Sequence, residues 1–123
     1  MPHIILGGHA DLAAVHARFQ PVRCDANGWI VKVQQCYLAS TGRTLLLEGV
    51  AARSGFVQTF YILAEQKDDR VTLRIDPHTN VEKNEGVKRS LALVRHLLQA
   101  VTPGLVMENT NLPPDYLQTG PVV

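Results

Sequence analysis

The stretch VKRSLALVRHLLQAV, residues 87–101, decides how the rest of the chain is read. Val87, Leu91, Val94, Leu98 and Val101 recur at alternating spacings of four and three, the period of one helical face. Leu93, Leu97 and Ala100 widen the stripe to about a third of the helix surface, which suits docking on a sheet better than a coiled-coil seam. Lys88, Arg89, Arg95, His96 and Gln99 fall opposite, within a sector of about 120°. Glu85 precedes Arg89 by one helical turn, in the favourable order for an ion pair. Pro103 and Gly104 stop the helix. Its start has two candidate caps. Thr79-Asn80-Val81-Glu82 fits a capping box, and Asn84 is the other cap. Gly86 inside the longer version costs roughly 1 kcal/mol against alanine. The capping box favours a helical turn over 80–84 running into the main helix.

A helix with such a stripe needs a sheet to cover, and the preceding residues supply one. Asp25-Ala26-Asn27-Gly28 is a turn signal, after which the period falls to two. Trp29, Val31 and Val33 alternate with Ile30, Lys32 and Gln34, and the run continues through Leu38 with a slip at Gln35 that marks a bulge. Ser40-Thr41-Gly42-Arg43 and Arg53-Ser54-Gly55 turn the chain, bounding a strand over 44–52. The next strand, 56–65, is apolar on both faces: Phe56, Phe60 and Ile62 on one, Val57, Tyr61 and Leu63 on the other. It therefore belongs in the centre of the sheet or beneath a second layer. A polar turn over 67–70 leads to a fourth strand over 71–76. Short turns between successive strands imply antiparallel neighbours.

Before the sheet, Leu12, Val15, His16 and Phe19 share a face and Pro21 follows, giving a short helix over about 10–19. Residues 1–8 read as a short strand or a loose tail; the stretch after Gly104 reads as irregular with one docked turn around Asp115–Leu117, and 118–123 as loose. The expected fold is α+β: a short N-terminal helix, a four-stranded antiparallel meander, a long C-terminal helix packed on one sheet face, and an irregular C-terminal tail.

The 123 residues are 46% hydrophobic and 19% charged, the composition of one globular domain rather than a disordered chain. A net charge of +1 writes no strong attraction for nucleic acid or anionic membrane into the totals. Cys24 and Cys36 form no CxxC, so the simplest home is a reducing cytoplasm. The opening residues lack a basic leader region, and no run reaches the ~18 apolar residues of a membrane span.

Motifs that carry chemistry are sparse. There is no Walker pattern or GxGxxG, so no cofactor is expected. His3, His9 and His16 lack metal-ligand spacing. Cys36, with His78 or His96 as base, reads first as a small buried hydrophobe. Asp76-Pro77-His78-Thr79 places a carboxylate and an imidazole on a loop at the end of a strand, yet a turn and a cap account for the same residues. Two surfaces remain. One is the basic helix face of Lys83, Lys88, Arg89 and Arg95. The other is the second sheet face, where Lys32, Gln34, Glu48, Thr59, Tyr61 and Arg74 mix with Ile30, Val57 and Leu63.

The candidate binding residues are accordingly Lys88, Arg89, Arg95, Lys32, Tyr61, Arg74 and His78. The leading reading is a binding or protein-interaction module without catalysis, as a homodimer or with a protein partner. One alternative is single-stranded nucleic-acid binding on a sheet face, because Pur-like domains share the layout of four antiparallel strands and a helix. The other is a small enzyme with its site at the Asp76-Pro77-His78 turn.

Overall fold

The computed structural model describes residues 1–121. In chain order the elements are β1 (His3–Gly7), α1 (Leu12–Arg18), β2 (Val22–Ala26), β3 (Trp29–Leu38), β4 (Thr44–Arg53), β5 (Phe56–Lys67), β6 (Arg70–Ile75), α2 (Glu85–Val101), β7 (Val106–Thr110) and α3 (Pro114–Leu117). All strands form one antiparallel sheet in the order β2-β3-β4-β5-β6-β1-β7, curled into a half-barrel.

This overturns the expected four-stranded meander with a terminal helix and an irregular tail. Three strands enlarge the sheet, and each escapes a local pattern for a physical reason. In β1, Ile4 and Leu6 are fully buried; the strand lies between β6 and β7 and pairs with residues far away in sequence. Of the two readings of residues 1–8, a short strand or a loose tail, the strand is the one that forms, internal to the sheet. β2 turns a single side chain, Cys24, fully inward. β7 buries no residue completely, and only its pairing with β1 makes it a strand. Of the end expected to be loose, Thr119 is buried, and Val122 and Val123 lie outside the described residues.

Tight turns set the hairpins. Asn27 and Gly28, both at positive φ, close β2 onto β3 through the Ala26–Trp29 pair. That is the Asn-Gly geometry whose twist matches the flanking strands. In β3, Gln34 is the extra residue of a bulge opposite β4, one position before the slip visible in the sequence.

The hollow of the half-barrel is filled by α2. Val87, Leu91, Leu93, Val94 and Leu98 have no solvent exposure, nor do Val31, Val33, Leu45, Leu47, Phe60, Ile62, Leu73 and Ile75 of the sheet. Fully burying one such side chain is worth about 1.5–3 kcal/mol, so this layer dominates the stability. Gly49 sits opposite Phe60 on the inner face, and a Cβ at Gly49 would lie 2.7 Å from the Phe60 ring. The ring covers the bare backbone and keeps the curled sheet filled there.

The helix start also differs from the expectation. No helical turn forms over 80–84, and Thr79 caps nothing. Asn84 is the cap, its Oδ1 accepting from the Val87 amide at 3.0 Å. The Gln58 side chain holds the preceding loop by accepting from the Glu82 amide (3.0 Å) and donating to the Glu82 carbonyl (3.1 Å). Those backbone groups are thereby kept out of a helical turn.

Candidate interaction surface

Alternation along the strands sends one set of side chains into the hollow and the other onto the outer face. Because the register is fixed by the pairs, the outer face can be laid out row by row. Tyr37, Leu46, Leu63, Arg74 and His3 form one row across β3, β4, β5, β6 and β1. Gln35, Glu48 and Tyr61 form the next, followed by Lys32, Val50 and Thr59, then Ile30, Ala52 and Val57. On the other side lies Thr44, Glu65, Thr72 and Ile5. No helix of the described residues covers this face. Tyr37 is 50% exposed and Val57 65% exposed. The result is a half-apolar surface with Leu46, Leu63, Val50 and Tyr61 across its middle.

Its polar groups largely hold one another. Gln34 donates to Glu48 at 2.6 Å, and Arg74 donates twice to one Glu65 oxygen, at 2.6 and 3.1 Å. Two clefts indent the face toward β6 and β1. One, of about 430 Å³, lies among Thr44, Glu65, Lys67, Thr72 and Arg74; the other, of about 330 Å³, is lined by Ile5, Asp68, Arg70 and the shared Lys67 and Thr72. Carboxylates stand beside the cations throughout, so the face is charge-mixed rather than basic.

The structure places the predicted residues in three groups. Lys32, Tyr61 and Arg74 lie together on the outer face, with Gln34, Glu48 and Thr59. Arg89 leaves the solvent and Arg95 is partly withdrawn from it. Arg89 is 6% exposed: its Nε donates to Glu85 at 2.8 Å and its Nη1 to Thr119 at 2.7 Å, and its guanidinium lies 4.6 Å from the Tyr116 ring centre. Arg95 donates from Nη2 to the Leu117 carbonyl at 2.7 Å, and its partial burial lowers its pKa. The basic helix face is therefore a docking strip for α3, which is the docked turn expected around Asp115–Leu117, though the sequence did not show that it would cover these arginines. Lys88 alone of the three stays free of such a partner. His78 is exposed and lines none of the clefts described for this molecule; its amide donates to Asp76 Oδ1 at 3.1 Å, as in an Asx turn.

Reactive groups elsewhere are quiet. Burial pushes the Cys36 thiol up to about 11 and raises that of Cys24 as well. Neither supplies thiolate at neutral pH. Among the described residues no cluster of three or more His, Cys, Asp or Glu could hold a metal ion. Among the same residues no helix is long and apolar enough to cross a membrane.

Sequence reasoning missed Tyr37, Leu46, Val50, Glu65 and Ile5 as parts of this surface. The alternation of β4 and β5 carried the signal for Leu46, Val50 and Glu65. The bulge at Gln34 obscured the facing of Tyr37, and Ile5 joins only through the pairing of β1 with β6. What the fold and surface define is a half-barrel domain with one open sheet face. Comparison with protein-family models, curated proteins and solved structures finds no match to this chain.

Proposed function

We propose that the protein is an interaction module whose outer sheet face takes a second copy of the chain. The observation that carries this is the uncovered apolar patch of Leu46, Leu63, Tyr61, Val50 and Val57, spread over four neighbouring rows of a sheet whose other face is already filled. An apolar face of this kind is normally covered by another layer or by a partner. Five strands spaced about 4.8 Å apart and about nine residues long at about 3.3 Å each give a face of roughly 700 Å². That is close to the roughly 800 Å² each partner contributes to a standard interface.

Charges of both signs lie along the face. Lys32 stands toward one end of the face, Glu48 near its centre and Glu65 toward the other end. A symmetric dimer, the commonest assembly of identical chains, needs only that this one patch meet its own copy. Glu48 and Glu65 weigh against the nucleic-acid reading, because both carboxylates would face the phosphates. This reading assigns the chain a binding role rather than a catalytic one.

Paramagnetic labelling tests it. A spin label on Thr59→Cys, mixed with unlabelled ¹⁵N protein, should broaden the outer-face amides of the second molecule, Glu48 and Tyr61 among them. Absence of intermolecular broadening at millimolar concentration would remove the proposal.

A further inference from the structure

A separate cleft of about 430 Å³ lies away from the outer sheet face, lined by Met1, Pro2, Lys83, Lys88, Asn111 and Leu112. Its size falls in the usual range for small-molecule sites, roughly 300–1,000 Å³. Three distant parts of the chain meet there, and each is tied down. Asn111 donates from Nδ2 to the Met1 carbonyl at 2.6 Å and accepts at Oδ1 from the His3 amide at 3.0 Å, which fixes the first residues as one wall. Lys83 follows the loop clamped by Gln58, and Lys88 rides on the first turns of α2. Leu112 is buried and, with Pro2 and Met1, gives the cleft an apolar side.

The charge of the lining is one-sided. Lys83 and Lys88 are both half-buried, and among the described residues neither ammonium has a carboxylate within ion-pair distance. No acidic residue lines the cleft. On the same helix, Arg89 and Arg95 are taken up by Glu85, Thr119 and Leu117. Of the basic helix face read from the sequence, the two lysines are what the structure leaves available.

We infer that this cleft binds a small amphipathic anion, with a carboxylate or phosphate head between Lys83 and Lys88 and an apolar body against Leu112 and Pro2. Lysine acts there as a point charge and does not demand the planar fork geometry of arginine, so both head groups fit. The site is independent of the outer-face interaction.

Titration calorimetry of the full chain with octyl phosphate, octanoate and inorganic phosphate tests the inference. Saturable one-site binding of octyl phosphate or octanoate is expected, and the stronger of the two identifies the head group. Inorganic phosphate, lacking the apolar body, should bind more weakly than octyl phosphate. The pair Lys83→Gln and Lys88→Gln should weaken binding about tenfold or more, as expected for loss of charge-assisted contacts, with an unchanged thermal midpoint. If the pair does not fold, Lys88→Gln alone gives the same comparison. An outer-face substitution, Leu63→Lys, should leave the affinity unaltered. No saturable binding of either amphiphile, equal binding by the lysine variants, or loss of binding in Leu63→Lys would overturn the inference.

Discussion

Gly86 of α2 lies so close to the Trp29 indole that a Cβ at Gly86 would stand 2.6 Å from the Trp29 Cε3 atom and 2.9 Å from the Ala51 Cβ. The glycine is thus the point where the helix start seats onto β3 and β4. In the sequence it looked like a helix-propensity fault; in the structure it is the condition for close docking. Gly86→Ala gains about 1 kcal/mol of helix propensity but forces the indole or the helix to move. Overpacking of this kind costs about 1–3 kcal/mol, so a net loss of stability in denaturant unfolding is expected. A more stable Gly86→Ala variant would show that the helix start does not press on Trp29.

Arg89 fastens the end of the chain to α2. Arg89→Met leaves Thr119 without its donor, Glu85 with Asn27 as its remaining donor, and Tyr116 without its cation. Breaking a buried pair this way costs about 3 kcal/mol or more. Arg89→Lys should rescue little, because an ammonium cannot reach Glu85 and Thr119 together while stacking on Tyr116. Limited proteolysis gives a local readout: cleavage within residues 113–121 should appear in both variants before the rest of the chain is cut.

Acid should weaken the fold in two steps. Burial and the Arg95 charge hold the His96 pKa below 6.5 against an opposing hydrogen bond that the imidazole donates to the Thr119 backbone. Its folded pKa is depressed, so the neutral form is favoured in the native state. Its contribution is present above the unfolded pKa and is lost as pH falls from about 6.5 toward the folded value. Glu85 follows at lower pH. Burial pushes its carboxyl up, but hydrogen bonds from Arg89 and Asn27 and the charges of Arg89 and Arg53 outweigh that and hold it below 4.5. Its stabilisation is lost as pH falls below about 4.5. Unfolding midpoints across pH should show His96→Gln flattening the upper step and Glu85→Gln the lower one. Unchanged slopes in both variants would contradict the assignment.

The two cysteines offer a chemical check on the core. Both are buried, and burial raises both thiols, that of Cys36 to about 11, which disfavours the reactive thiolate. Native protein should react slowly with a thiol-specific disulfide reagent, and denatured protein should release two equivalents at once. Fast reaction of Cys36 in the native state would mean that β3 opens where the structure has it packed.

The parts legible in the sequence were those with a strong local period. The stripe from Val87 to Leu98 and the alternation of β3 to β6 could be read directly, because each element buries one face in a long regular run. β1 and β7 could not be read from their own pattern, since they pair with each other and β1 with β6, far along the chain; β2, although it forms a local hairpin with β3, buries only Cys24 and so shows no alternation to read. The same gap hid the fate of Arg89 and Arg95: a charged helix face looks solvated until the segment that covers it is known. On the outer face, Lys32, Tyr61 and Arg74 were visible as polar positions of alternating strands. Their rows became known only with the register.

The most direct test of the outer face as an interface is light scattering on the size-exclusion peak of the wild type and of Leu63→Lys across a concentration series. The wild type should run at twice the 13.6 kDa of the chain at high concentration, and Leu63→Lys, folded by circular dichroism, should run at the chain mass. A wild type that stays at the chain mass throughout, or a Leu63→Lys variant that dimerises as well as the wild type, would contradict the account.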